Sequence, residues 1–170
     1  KYIEICPTKT ALLPGALDTL DYLAGKYDLH LITNGFAESQ KTKLKCSDLE
    51  KYFKTLTISE EVGVQKPHPL VYETALKNAG SSLKSSHYVG DNLEADIKGS
   101  INSGWKAYWL TQDDSMFSHK DCTSMKDLRE LLAALDKVVM DFRLAMDKPG
   151  LREPWYKIRD KAPIQRELQN

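Results

Sequence analysis

Three groups of residues in this chain have the types and spacing that phosphate chemistry requires. Asp91 and Asp96 lie in Tyr88-Val-Gly-Asp-Asn-Leu-Glu-Ala-Asp96. His87 to Val89 suit a short buried strand and Gly90 permits a tight turn. Asp91 then falls at the strand's C-terminal edge, where open α/β sheets bind ligands. One carboxylate at the strand tip and a second in the first helical turn behind it can converge on one point. A hard divalent cation such as Mg²⁺ takes such oxygen ligands and keeps several waters and a phosphate besides. Upstream, Thr33-Asn34-Gly35 offers a hydroxyl, an amide and backbone N–H groups at a turn entering a helix, the chemistry of a phosphate cradle. Between them stands Lys66, held by Pro67 and Pro69 in a loop with little freedom and able to neutralise a phosphoryl oxygen or a nearby carboxylate.

Each group also has a purely structural reading. Thr-Asn-Gly is a common turn, a lysine before proline is usually a solvated loop charge, and Asp91 and Asp96 could be a turn residue and a helix N-cap. What favours chemistry is order: each group ends a successive expected strand.

The elements that must position them alternate along the chain. Pro14-Gly15 opens a helix whose Leu17, Leu20 and Leu23 follow helical spacing, ending near Gly25. A strand is expected over 28–33, a polar helix over 38–49, a second strand over 56–58 and an amphipathic helix over 70–78 ended by Gly80. The third strand runs into Asp91, its helix reaches about Gly104, and 105–110 is a fourth strand. Strands separated by helices imply parallel pairing with right-handed crossovers and helices on both faces, a doubly wound α/β sheet. Farther on, Leu128, Leu131, Leu132, Leu135, Val138, Val139, Phe142 and Met146 trace one helical stripe from about Met125 to Lys148.

Length and composition exclude several function classes. The 170 residues suit one domain with a real core. Lys plus Arg and Asp plus Glu are 24 each, so no charge excess argues for a nucleic-acid polymer or a membrane surface. Cys6, Cys46 and Cys122 form no CxxC pair, which suits a reducing cytoplasm better than a disulfide framework.

The ordered set resembles the haloacid dehalogenase superfamily of phosphohydrolases over about residues 12–112. The matching pieces are Leu31-Ile-Thr-Asn-Gly35, Lys66 in Gly-Val-Gln-Lys-Pro-His-Pro, and Gly90-Asp-Asn-Leu-Glu-Ala-Asp96. Within it the pattern is most similar to the pyrimidine 5′-nucleotidase branch, and acylneuraminate phosphatases and haloacid dehalogenases share much of it. The resemblance implies a three-layer, Rossmann-like parallel sheet and a Mg²⁺-dependent phosphohydrolase acting through an aspartyl-phosphate. Thr33 and Lys66 would be catalytic, Thr33, Asn34, Gly35 and Lys66 substrate-binding, and Asp91 and Asp96 the metal ligands, Asp96 directly or from behind. The expected partners are a small phosphorylated metabolite and, at most, further copies of the chain, with no nucleic acid and no membrane. A haloacid dehalogenase or sugar phosphatase is the alternative within the family. A catalytically dead binding or scaffolding domain is the alternative outside enzymes.

One piece departs from the family pattern. The first motif, DxDx[T/V] at the end of a central strand, supplies nucleophile and acid/base, and no Asp here is followed two residues later by another. The expectation is a chain that begins after that strand and most of the cap: 1–12 as the returning linker, 13–123 as core, 124–148 as a C-terminal helix, 149–170 as an irregular tail. Lys137-Val-Val-Met-Asp141 is a weak candidate for a permuted strand, since Arg143 stands where the second Asp belongs. His30 is a packed or edge residue, and His68 shapes its loop, a substrate contact being the lesser reading. His87 and His119 lack partners at metal-ligand spacing. Glu94 faces solvent, a water-mediated role being its lesser reading, Trp105 and Trp109 are core candidates, and Asp113-Asp114 is a turn.

Overall fold

The computed structural model describes residues 10–113 and 117–137. The expectations for 1–9, Asp114, Asp141, the helix beyond residue 137 and the tail lie outside those residues. The chain divides into compact units at Leu131/Leu132, and everything below up to Met125 belongs to the first.

Glycine punctuates the start. Gly15, at φ 74°, precedes helix α1 (Ala16–Ala24), which buries Thr19 and Leu23 and stops at Gly25. Strand β1 (Leu29–Thr33) follows, then α2 (Ala37–Cys46) and β2 (Phe53–Ile58). A one-turn helix α3 (Ser59–Val62) and the Lys66 loop lead to α4 (Pro69–Ala79). Pro69 sits where its missing N–H is not needed, His68 Nδ1 accepts the Leu70 N–H at 3.2 Å, and Gly80, at φ 61°, ends the helix. Strand β3 (His87–Gly90) passes into a π-helical turn, Leu93–Lys98, continued by α5 (Gly99–Asn102). Strand β4 (Lys106–Leu110) comes next.

All strand pairs are parallel, as expected for an α/β sheet. β1 pairs with β2, and β3 with β4. Among the described residues these form separate sheets, with no pairing between β1 and β3. The sheet of β3 and β4 gains a strand that periodicity does not suggest: β5 (Cys122–Met125) pairs in parallel with β4. Met125, expected at the start of the C-terminal helix, is the last residue of that strand, and the helix begins at residue 130. Cys-Thr-Ser-Met lacks an apolar run, and only Met125 is buried. Its ladder to β4 is what makes it a strand.

The core is aromatic around β3. Tyr72, Tyr88 and Trp105 form one buried cluster with Ile32 and Leu76 against it. Ile97, Ala107 and Trp109 form another. Tyr72 meets Tyr88 edge-on at 5.5 Å, and Tyr88 meets Trp105 the same way at 5.9 Å. Trp105 and Trp109 are thus core residues. Two glycines permit close approach in this region. A Cβ at Gly90 would lie 2.5 Å from Asp96 Cβ, and one at Gly99 would lie 2.8 Å from Pro67 Cβ. Gly99 therefore lets the Lys66 loop pack onto the helix that carries Asp96.

Candidate active site

Parallel pairing puts the ends of β1 and β2 in one direction, and the bond between Lys66 and Asp96 brings the segment after β3 to the same place. Thr33 is the last residue of β1, Lys66 lies in the loop that follows β2 and α3, and Asp91 comes directly after β3.

Lys66 is the centre of the arrangement. Its Nζ donates to Asp96 Oδ1 at 2.6 Å, to Tyr88 Oη at 3.2 Å and to Ile32 O at 3.2 Å. An ammonium carries three donors and no acceptor, and here each donor has an acceptor. The Lys66 and Asp96 side chains are only 10% and 9% exposed, so the pair is held away from water. Lys66 is no solvated loop charge. Tyr88, which the motif reading passes over, completes the group: its hydroxyl donates to Asp96 Oδ1 at 2.9 Å. The signal for it was available, since a tyrosine on a buried strand two residues before the turn has to place its hydroxyl somewhere.

Asp96 is reached by the widened π turn. Asn92 O accepts both the Asp96 and Ile97 N–H groups, at 2.8 and 3.1 Å, and such turns collect at functional sites. Asn92 Oδ1 also caps the turn by accepting the Ala95 N–H at 2.8 Å. Burial pushes the Asp96 carboxyl up. The Lys66 hydrogen bond and charge, with bonds from the Asn92 N–H and Tyr88, outweigh it and hold the group below the ordinary carboxylate value. Burial foremost, and Asp96 next, push the Tyr88 phenol far up, so it stays a neutral donor.

Asn34 does something other than contact a ligand with its side chain. Its Nδ2 donates to Lys66 O at 3.1 Å and its Oδ1 accepts the Lys66 N–H at 2.9 Å. The amide clamps the Lys66 backbone at two points. Gly35, at φ 141°, has its N–H bonded to Ser59 Oγ at 3.0 Å. The Ala37 N–H, at the head of α2, donates to Glu60 Oε2 at 2.7 Å. Thr33 Oγ1 donates to Gln40 Oε1 at 2.9 Å.

Asp91 stands apart from these bonds. It is exposed, and its backbone carbonyl accepts from Trp109 Nε1 at 3.0 Å. Among the described residues no cluster of three or more His, Cys, Asp or Glu forms a metal cage. Mg²⁺ does not demand one, since one or two carboxylates with waters and a substrate phosphate suffice. Asp91 is an exposed oxygen donor of the right kind, whereas both Asp96 oxygens already have partners. The residues fit Mg²⁺ with Asp91 as direct ligand and Asp96 behind it.

The other polar candidates settle into structure. His30 Nδ1 lies 2.8 Å from Thr55 Oγ1 across the β1–β2 ladder, and Glu94 pairs with Lys98 along its helix. A cavity of about 190 Å³ lies between α2 and β2, lined by Lys41, Leu44, Phe53 and Leu56 among others, and contains none of the site residues.

The chain is similar to known proteins. Residues 1–110 match the sequence profile of the haloacid dehalogenase-like hydrolases. Over 135 residues the chain is 38% identical to the pyrimidine 5′-nucleotidase YjjG of Escherichia coli, covering 76% of this chain and 58% of that protein. It is 35% identical over 133 residues to the pyrimidine 5′-nucleotidase PynA of Streptococcus pneumoniae, covering 76% and 56%. The magnesium-bound crystal structure of the HAD-hydrolase YfnB from Bacillus subtilis superposes with a TM-score of 0.74 at 28% identity, covering 79% of this chain and 60% of that one. The chain thus spans a little over half the length of these relatives.

Proposed function

The chain belongs to the haloacid dehalogenase-like hydrolases, and from that premise we propose that it forms the larger part of a Mg²⁺-dependent phosphohydrolase for small phosphomonoesters, nucleoside 5′-monophosphates foremost. The observation that carries the proposal is the buried Lys66–Asp96–Tyr88 group at the strand ends where Thr33 and Asp91 also lie. A buried ion pair is weak evidence for a stability device, because desolvation consumes most of its Coulomb gain. A cation fixed in place beforehand is what stabilising a phosphoryl group requires. The names of YjjG and PynA support the substrate class.

In the proposed reaction the nucleophile is an Asp carboxylate of a DxDx[T/V] segment that this chain does not contain. Its oxygen bonds to phosphorus, the ester P–O bond breaks, and the second Asp of that segment gives the leaving oxygen its proton. Water then attacks the aspartyl-phosphate, its proton passing to the same Asp, and inorganic phosphate leaves.

The residues of this chain hold the phosphoryl group meanwhile. The Thr33 hydroxyl and the Asn34 N–H donate to its oxygens. Lys66 exchanges one of its longer bonds, to Ile32 O or Tyr88 Oη, for a phosphoryl oxygen without leaving Asp96. Asn34 and Gly35 act by shape, one clamping the Lys66 backbone and the other leaving room over the turn. Bound Mg²⁺ would supply further neutralisation of phosphoryl charge, held by Asp91. Asp96 fixes the turn behind that ligand, because its Oδ2 accepts the Asn92 N–H at 3.1 Å. The proposed compartment is the cytoplasm, on the unpatterned cysteines.

The test is the DNA upstream of the Lys1 codon. An open frame encoding an apolar strand and DxDx[T/V] supports the proposal. A frame without that motif removes the nucleophile and leaves a binding module.

A further inference from the structure

Most hydrogen-bond groups around the Thr33–Gly35 turn are already committed. The Asn34 side chain is spent on Lys66, the Gly35 N–H on Ser59 and the Ala37 N–H on Glu60. Glu60 also places a carboxylate of this chain at the N-terminus of α2, where an incoming anion would otherwise gain from the helix dipole. The Thr33 hydroxyl therefore carries more of the work than its place in a three-residue turn suggests, and its direction matters.

Gln40 is the nearer of two acceptors for that hydroxyl, the other being the Asn34 carbonyl at 3.4 Å. Gln40 lies in the first turn of α2, its N–H bonded to Phe36 O at 3.0 Å. Side chains on a helix lean toward its N-terminus, which brings this one back over the turn. Gln40 Oε1 accepts the Thr33 hydroxyl at 2.9 Å. A Cβ built on Gly35 would lie 2.7 Å from Gln40 Nε2, so the glycine leaves the space that the amide occupies. Gln40 Nε2 donates to no described residue.

One hydroxyl hydrogen cannot serve both Gln40 and a phosphoryl oxygen. We propose that Gln40 is the positioning residue of Thr33: its amide accepts the hydroxyl hydrogen in the free site and, turned over, donates Nε2–H to Thr33 Oγ1 when the hydroxyl swings to a phosphoryl oxygen. A side chain that carries both an acceptor and a donor, as an amide does, can serve both states. A carboxylate could hold the free state alone, and a thioether neither. The inference rests on the phosphoryl site described above.

The experiment is a titration with inorganic phosphate, in MgCl₂, of the full-length protein that carries this chain. Wild type is compared with Gln40→Glu, Gln40→Met, Thr33→Ala and Thr33→Ala/Gln40→Met, with melting temperatures recorded for each. We expect both Gln40 variants to weaken phosphate binding by about tenfold or more, because a Thr33 hydroxyl that is no longer aimed loses its hydrogen bond to the charged phosphate. Melting temperatures should change little, and Gln40→Met should add nothing once Thr33 is Ala, since Gln40 acts through it. Wild-type affinity in Gln40→Met, or a Gln40→Met loss that persists undiminished beside Thr33→Ala, overturns the inference and leaves the phosphoryl site standing. A wild type that binds no phosphate overturns both.

Discussion

Lys66 Nζ lies 2.6 Å from Asp96 Oδ1 across thirty residues of chain. That bond ties the loop after β2 to the helix after β3. It also holds the Asp96 carboxyl below its ordinary value in a place with little water.

Removing one partner should therefore cost more than removing both. Asp96→Ala leaves a buried ammonium without its counter-charge, and the expected loss is about 3–5 kcal/mol in denaturant unfolding. A Lys66→Met/Asp96→Leu double variant should recover much of that stability while lacking phosphate binding. A double variant no more stable than Asp96→Ala would show that the pair matters for packing and not for charge.

Asn34 is expected to act on Lys66 rather than on the ligand. Asn34→Ala frees both backbone groups of Lys66 and should cost about 1–3 kcal/mol. Asn34→Asp keeps the acceptor for the Lys66 N–H and should lose about half as much. Equal losses in the two variants would contradict the clamp.

Gly99 and Gly25 make a matched pair. A Cβ at Gly99 meets Pro67 and the Tyr72 hydroxyl, whereas one at Gly25, at φ −74°, has its nearest neighbour at 3.6 Å. Gly99→Ala should destabilise by about 1–3 kcal/mol through overpacking and displace the Lys66 loop. Gly25→Ala should be neutral or stabilise by up to about 1 kcal/mol. Thermal melts of the two variants decide.

His87 should give the fold an acid-side weakness. Its Nδ1 is buried with no hydrogen-bond partner, its ring lies 5.7 Å from that of Tyr108, and burial, then the charge of Lys106, lower its pKa from 6.5. The unfolded chain then binds the proton more readily than the folded one. Stability should fall as pH drops below about 6.5 and level off beneath the folded pKa. His87→Phe should flatten that part of the pH–stability curve, and an unchanged slope would locate the effect elsewhere.

Much of this was legible from residue order because a parallel sheet sends its strand exits to one edge. Thr33, Lys66 and Asp91 could each be assigned to the exit of a strand in this way, and Trp105 and Trp109 to the core from their alternation with Ala107. What was not legible depends on contacts between distant segments. The Asn34 amide looks like a ligand donor until the Lys66 backbone is found within its reach. Gln40 is an ordinary polar helix residue until the lean of its side chain over Gly35 is seen. β5 carries no periodicity, because one buried residue in a four-residue strand is enough when the neighbouring strand supplies the ladder.

The most direct measurement is phosphate release from a nucleoside 5′-monophosphate, with and without Mg²⁺, by this 170-residue chain and by the longest open frame that contains it. The account predicts no turnover by the chain alone and Mg²⁺-dependent turnover by the longer protein, abolished by Lys66→Met and lost in Asp91→Asn without loss of stability. Metal-dependent turnover by the 170-residue chain on its own, or full activity in Lys66→Met, would contradict it.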